Sequence, residues 1–201
     1  MRPFSLGAPR FWRNARCDCR IRLPEMPFAY YSKLSAARQR IYRQSDAIEF
    51  LPLPGGIAAG AIVAALRSEL AGDSRPGVQA ASQRLIDALV RGYDVPPIRV
   101  RVLARRPVDG SGELHGLYEP DEARKPARIT VWMRTAARRD VVAFKTFLRT
   151  LVHELCHHLD YEMYRLPETF HTDGFYKRES SLANALLREE AESAVAKRSP
   201  A

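Results

Sequence analysis

The sequence predicts an α+β protein. Apolar residues recur at helical spacing through residues 32–92, the period shortens to two between residues 98 and 133, and two long helical segments follow, separated by Pro167. This places three N-terminal helices ahead of a small, mostly antiparallel three-stranded sheet, with two helices after it. A length of 201 residues, 46% of them apolar and 27% charged, suits one domain with a real core and excludes a fibre or a disordered chain.

Residues 1–25 carry six arginines against Asp18 and Glu25, mixed with Pro and Gly and without periodicity or the apolar run of a secretory signal. They read as a basic leader outside the fold, or as upstream sequence ahead of a true start at Met26. A single domain is therefore expected over 26–196, with N-terminal helices over 32–92 and a core over 98–196. From Ser32, Leu34, Ala37 and Ile41 step at helical spacing as far as Asp46. The breaker cluster Leu51–Gly56 precedes an Ala-rich helix over 57–71, stopped at Gly72. Pro76 opens the third helix, striped by Leu85, Ile86, Leu89 and Val90 and closed by Gly92 and the prolines at 96 and 97. Ile98–Val102 alternates strictly, Glu113–Tyr118 is a short aromatic-bearing run, and Arg128–Met133 is rich in strand formers. A long helix is expected from about Asp140 to Tyr164 and a last one from about Asp173 to Ala196.

The formal net charge of +9 makes nucleic acid a candidate partner, through the N-terminal arginines and Arg38, Arg40 and Arg43 of the first helix; such binding falls steeply with salt. Three cysteines, Cys17, Cys19 and Cys156, make no disulfide framework and fit a reducing, cytoplasmic setting. The longest apolar stretch, Ile57–Leu66, is about half a membrane span, so no membrane association is expected.

The chemistry sits in the fourth predicted helix, at His153-Glu154-Leu155-Cys156-His157. Histidines four apart project from one helical face, where two neutral imidazoles can hold one zinc ion while the neighbouring glutamate takes a proton from the water that the metal activates. Phe144, Leu148, Leu151, Leu155 and Leu159 form a stripe on the opposite side, so the helix can bury one face and offer the other to a cleft. With five histidines in the chain, random order produces this pattern in about one shuffled chain in a hundred to two hundred, so context decides its meaning.

Zinc needs a third protein ligand and an open position. His171, just past Pro167, is the first choice; Glu179 on the last helix ranks below it, and Asp160 reads as a partner behind the ligands. The residues three and six beyond His157 are Asp160 and Met163, which excludes the metzincin pattern. His158 points away and reads as a surface or packing residue, Cys156 as a small buried hydrophobe, and His115 as surface decoration or a cleft residue. Tyr118, Tyr161, Tyr164 and Tyr176 are candidate donors to a developing oxyanion, with no choice among them.

This motif, the gap of fourteen to His171 and the run His171, Phe175, Tyr176, Lys177 resemble the SprT-like (Spartan-type) zinc metalloproteases over about residues 98–190. The resemblance implies a zincin-like catalytic core with His153, His157 and His171 as zinc ligands and Glu154 as catalytic base, acting on proteins, including those attached to DNA. Two departures stand out: Thr172 occupies the place of the usual glycine, and the cysteines offer no zinc ribbon for tethering to DNA.

The expected function is therefore a Zn2+-dependent metallopeptidase acting on a protein or peptide substrate, with an extended chain added to the sheet edge beside 113–118 or 128–133. A zinc-pinned, non-catalytic binding module is the alternative and pure nucleic-acid binding a more distant one. Nothing in the sequence sets the oligomeric state.

Overall fold

The computed structural model describes residues 28–109, 112–121 and 125–196. The basic leader, with Cys17 and Cys19, lies outside the described residues.

Two of the helices in the first half start on a serine cap. A 3-10 turn, Tyr31–Lys33, leads into α1 (Ala36–Asp46), where the Ser35 hydroxyl accepts the Arg38 N–H. Helix α2 (Ala59–Ala71) stops at Gly72, and α3 (Arg75–Gly92) begins with a Ser74 cap and proline in its first turn. Strand β1 (Arg99–Arg105) follows, then a short hairpin of β2 (Val108–Asp109) and β3 (Gly112–Glu113), β4 (Gly116–Glu119), β5 (Arg128–Arg134), α4 (Phe144–Glu162) and α5 (Asp173–Ala196). Arg38 is paired with Glu168 and Arg43 donates to the Tyr31 hydroxyl, so two of the three arginines singled out on the first helix are engaged within the fold.

The α+β class holds, with five helices among the described residues, but the sheet is mixed rather than mostly antiparallel. Its order is β1-β5-β4; β5 runs parallel to β1 and antiparallel to β4. A mostly antiparallel sheet would pair successive strands. Instead the hairpin and β4 intervene, and β5 returns to insert between β1 and β4. The central position explains why β5 is buried on both faces, with Ile129 and Val131 fully covered and Thr130 and Trp132 nearly so. The expected strand over 113–118 is broken at Leu114 and His115 into β3 and β4. Helix α4 starts at Phe144, not Asp140, because the preceding valines are taken by the sheet: Val141 bridges Arg134, and the Val142 N–H donates to the Met133 carbonyl at 2.7 Å.

One outer edge of this sheet is closed by side chains. Gln79 and Gln83, one turn apart on α3, each meet the β1 backbone through both amide atoms: Gln79 pairs with the Val100 carbonyl and the Val102 N–H, Gln83 with the Ile98 carbonyl and the Val100 N–H, at 2.7–3.0 Å. Two primary amides four residues apart thus stand in for a strand. The outer edge of β4 is the other boundary, and α4 runs beneath it.

The core joins α2, α3, the inner face of the sheet, α4 and α5. Leu148, Leu151, Leu155 and Leu159 of α4 are fully buried, each contributing about 2 kcal/mol. The predicted stripe is the buried face, with Phe144 at its margin under the Arg67 guanidinium, 3.9 Å from the ring centre. Behind α4, the fully buried Arg178 of α5 donates to the Ser45 carbonyl at the end of α1 and to Asp160 Oδ1 of α4, at 2.6 and 2.8 Å. One guanidinium thereby fixes three helices relative to one another.

Candidate metal centre

The chain folds back after α4 so that His171 faces the two motif histidines. The Nε2 atoms of His153 and His171 lie 3.0 Å apart, those of His157 and His171 3.2 Å, and those of His153 and His157 3.3 Å. These three residues form a metal-capable cluster among the described residues. Phe175, fully buried, floors the cluster with its ring centre 4.7 Å from that of His157 and 5.0 Å from that of His153.

The outer nitrogens decide which atoms carry protons. Asp160, paired with Arg178, accepts the Thr169 hydroxyl proton at 2.8 Å. That hydroxyl has no second proton, so at 2.8 Å it accepts from His157 Nδ1–H. Glu179 Oε2 likewise accepts from His153 Nδ1–H at 2.9 Å. Both motif imidazoles therefore present bare Nε2 lone pairs to each other, an arrangement that a shared cation relieves. A tetrahedral ion with bonds of about 2.1 Å sets its ligands about 3.4 Å apart, close to the spacing seen here. Burial, then the neighbouring His153 and His171, pushes the His157 pKa down to about 3, and burial lowers that of His171 as well. Both changes favour the neutral, ligating form. The three histidines fit a small divalent cation of the kind imidazole binds.

The donors left open by the sequence are now placed. His171 joins the cluster. Glu179 stands behind His153; burial alone would raise its pKa, but the bond from His153 and the contact with Arg149 outweigh burial and leave it below the ordinary value. Asp160, wholly buried, stands behind His157 through Thr169. Such groups orient ligands without touching the ion. His158 is buried and not at the surface; its Nε2 lies 2.9 Å from the Pro96 carbonyl and its Nδ1 3.3 Å from the Tyr118 hydroxyl. Cys156 is a core residue whose thiol burial pushes strongly toward the protonated form.

Glu154 is buried beneath β4 and shares with His153 and Gly116 the walls of two adjoining cavities, of about 500 and 340 Å³. Burial raises its pKa to about 7, moderated by His153 and by the Tyr118 backbone N–H that donates to it. A Cβ at position 116 would overlap the Glu154 carboxylate, so Gly116 lets strand and acid approach. Exposed His115 borders the larger cavity. Of the four tyrosines, Tyr118 turns its hydroxyl to His158 and Tyr164 leans on the core and Arg178; Tyr161 lines the smaller cavity, and Tyr176 stacks on His171 at 5.9 Å. Tyr118 lines the smaller cavity too, with its ring stacked on His157 at 6.3 Å, so three of the four border the histidines, and of these Tyr161 and Tyr176 have hydroxyls not turned to His158.

Sequence reasoning missed the residues that hold the His171 loop. The Tyr30 hydroxyl donates to the His171 carbonyl at 2.8 Å, and Arg38 of α1 clasps Glu168. The Gly174 N–H donates to Asp46 at 3.0 Å, at a point where a side chain would strike the Asp46 carbonyl. No spacing signal in the sequence couples residues more than 100 positions apart. Thr172 has a local role: its fully buried hydroxyl accepts the Phe175 N–H at 3.0 Å and caps α5 beside the third histidine. Thr172→Ala is expected to lower stability by about 1 kcal/mol, read as a reduced urea midpoint at unchanged slope.

No family model matches the chain, and no curated protein or solved structure does either. Among the described residues no helix is long and apolar enough to cross a membrane.

Proposed function

We propose that this chain is a zinc-dependent metallopeptidase. The observation that carries the reading is the convergence of three imidazole nitrogens within 3.3 Å of one another, with a buried glutamate beside them, under the outer edge of a sheet. Bound by His153, His157 and His171, zinc would supply a Lewis acid for the scissile carbonyl and acidity for the attacking water.

The chain's own residues do the rest. Glu154 takes the proton of the attacking water and hands it to the departing amine as the C–N bond breaks, so one water is consumed per peptide bond. An extended substrate pairs with the outer edge of β4; β5, the other segment considered, is central and has no free edge. Gly116, Leu117 and Tyr118 then hold the scissile bond over Glu154 and the histidines, in the cavity they line together. Tyr161 and Tyr176 supply the candidate oxyanion donors.

The test is zinc content beside activity. Purified full-length protein is expected to hold about one zinc per chain by elemental analysis and to cleave an unfolded substrate such as casein. A strong chelator should abolish cleavage and added zinc should restore it. Protein that retains no zinc after metal loading would overturn the reading.

A further inference from the structure

A third cavity, of about 410 Å³, lies at the far end of β4, and we infer that it receives an acidic side chain of the peptide substrate. Arg99, Lys125 and Arg128 line it, with Glu119 as the one carboxylate among the described residues. Glu119 is spent: it accepts both Nε and Nη2 of Arg128 at 2.8 Å, a two-pronged pair that neutralises itself. Among the described residues, the side chains of Arg99 and Lys125 make no hydrogen bond or ion pair; Lys125 feels Glu119 only at longer range, so both cations are left to bind a ligand in the cavity.

The position ties this charge to the cleft. Tyr118 and Pro120 line both this cavity and the one over the histidines. Two residues of strand span about 7 Å, so a peptide paired with β4 brings a side chain two to four positions from its scissile bond to the mouth of the cavity. There a carboxylate would meet the planar fork of Arg99 and the ammonium of Lys125.

The outer face of the sheet carries further arginines: Arg101, exposed two residues along β1, acts on Glu119 and adds to the cationic patch, whereas two others are committed. Arg105 donates twice to the Ala136 carbonyl, at 2.7 and 3.0 Å, and Arg134 is paired with Asp73 and donates to the Arg139 carbonyl. The charge of Arg99, Arg101 and Lys125 therefore gathers at the end of the sheet that holds the slot, beside the peptide edge. A phosphate backbone would be served by a continuous track, which these pairings interrupt. The path of the peptide rests on the peptidase reading; the cationic slot does not.

The experiment uses peptides of one cleavable sequence with Glu or Gln placed in turn at each of four positions on either side of the scissile bond. Cleavage by the zinc-loaded full chain is measured beside binding to the chelated protein by fluorescence anisotropy. At one position the Glu peptide is expected to exceed its Gln counterpart about tenfold in kcat/KM and in affinity. That ratio should fall toward one in Arg99→Ala/Lys125→Ala and stay in Arg84→Ala/Arg91→Ala, which removes the same charge from the exposed side of α3. Cleavage without discrimination at any position overturns the inference and leaves the peptidase reading standing. Discrimination in binding without any cleavage upholds the slot while the peptidase reading fails. Equal binding of Glu and Gln peptides, with oligonucleotide affinity that depends on Arg99 and Lys125, assigns the cations to nucleic acid and overturns the inference.

Discussion

Glu154→Gln is expected to lower kcat for peptide cleavage by about a thousandfold while zinc content stays at the wild-type level. Glutamine keeps the volume of the side chain beneath Gly116 and retains an oxygen to accept the Tyr118 N–H, so the packing that positions residue 154 survives. It cannot take up a proton. The three ligand nitrogens belong to other residues, so metal binding has no reason to change. The variant also separates the peptidase from a zinc-pinned binding module, which would lose nothing. Undiminished cleavage would remove Glu154 from the mechanism, and loss of zinc would make it a ligand.

Much of this site was legible because its chemistry is local. His153, Glu154 and His157 lie within one helical turn and a half, and the stripe of leucines that turns them outward is written in the same segment. His171 was reachable because the proline at 167 forces a fold-back and few other donors exist nearby. The partners behind the ligands were less so. Asp160 reads from the sequence as a partner behind the ligands, but Glu179 was weighed as a ligand itself, and what separates a ligand from a group that orients one is a difference of one hydrogen bond, visible only once α5 is docked by Arg178. Gly116 reads in sequence as a turn or bulge residue; its close contact with the Glu154 carboxylate depends on how β4 crosses α4.

The sheet shows the same division between local and distant information. Residues 98–102 and 128–133 declared themselves as strands by composition, yet their parallel pairing is set by the path of the chain between them. The glutamines that close the β1 edge lie on a helix, where their spacing of four looks like ordinary solvated polarity. The stop of α2 at Gly72 and the opening of α3 by Pro76 were legible for the opposite reason, because both act within a few residues of themselves; the serine caps before α1 and α3 came only with the structure.

His171→Ala should lose zinc and keep the fold. His171 projects from an exposed loop whose course is fixed by other contacts: the Tyr30 hydroxyl on its carbonyl, Arg38 on Glu168, and the Thr172 cap on α5. None of these uses the imidazole. Removing it leaves His153 and His157, two ligands on one helix, where a closed site needs three or four. The bound fraction is expected to fall from about one zinc per chain to a small part of that after gel filtration in metal-free buffer. The thermal midpoint of the variant should also stop rising with added zinc, because an ion that binds the folded state stabilises it only as far as its affinity allows. Wild-type protein whose midpoint rises with zinc, beside a variant whose midpoint does not, places the ion on the three histidines. A variant that still holds stoichiometric zinc would transfer the third ligand to Glu179, whose carboxylate is already hydrogen-bonded to His153.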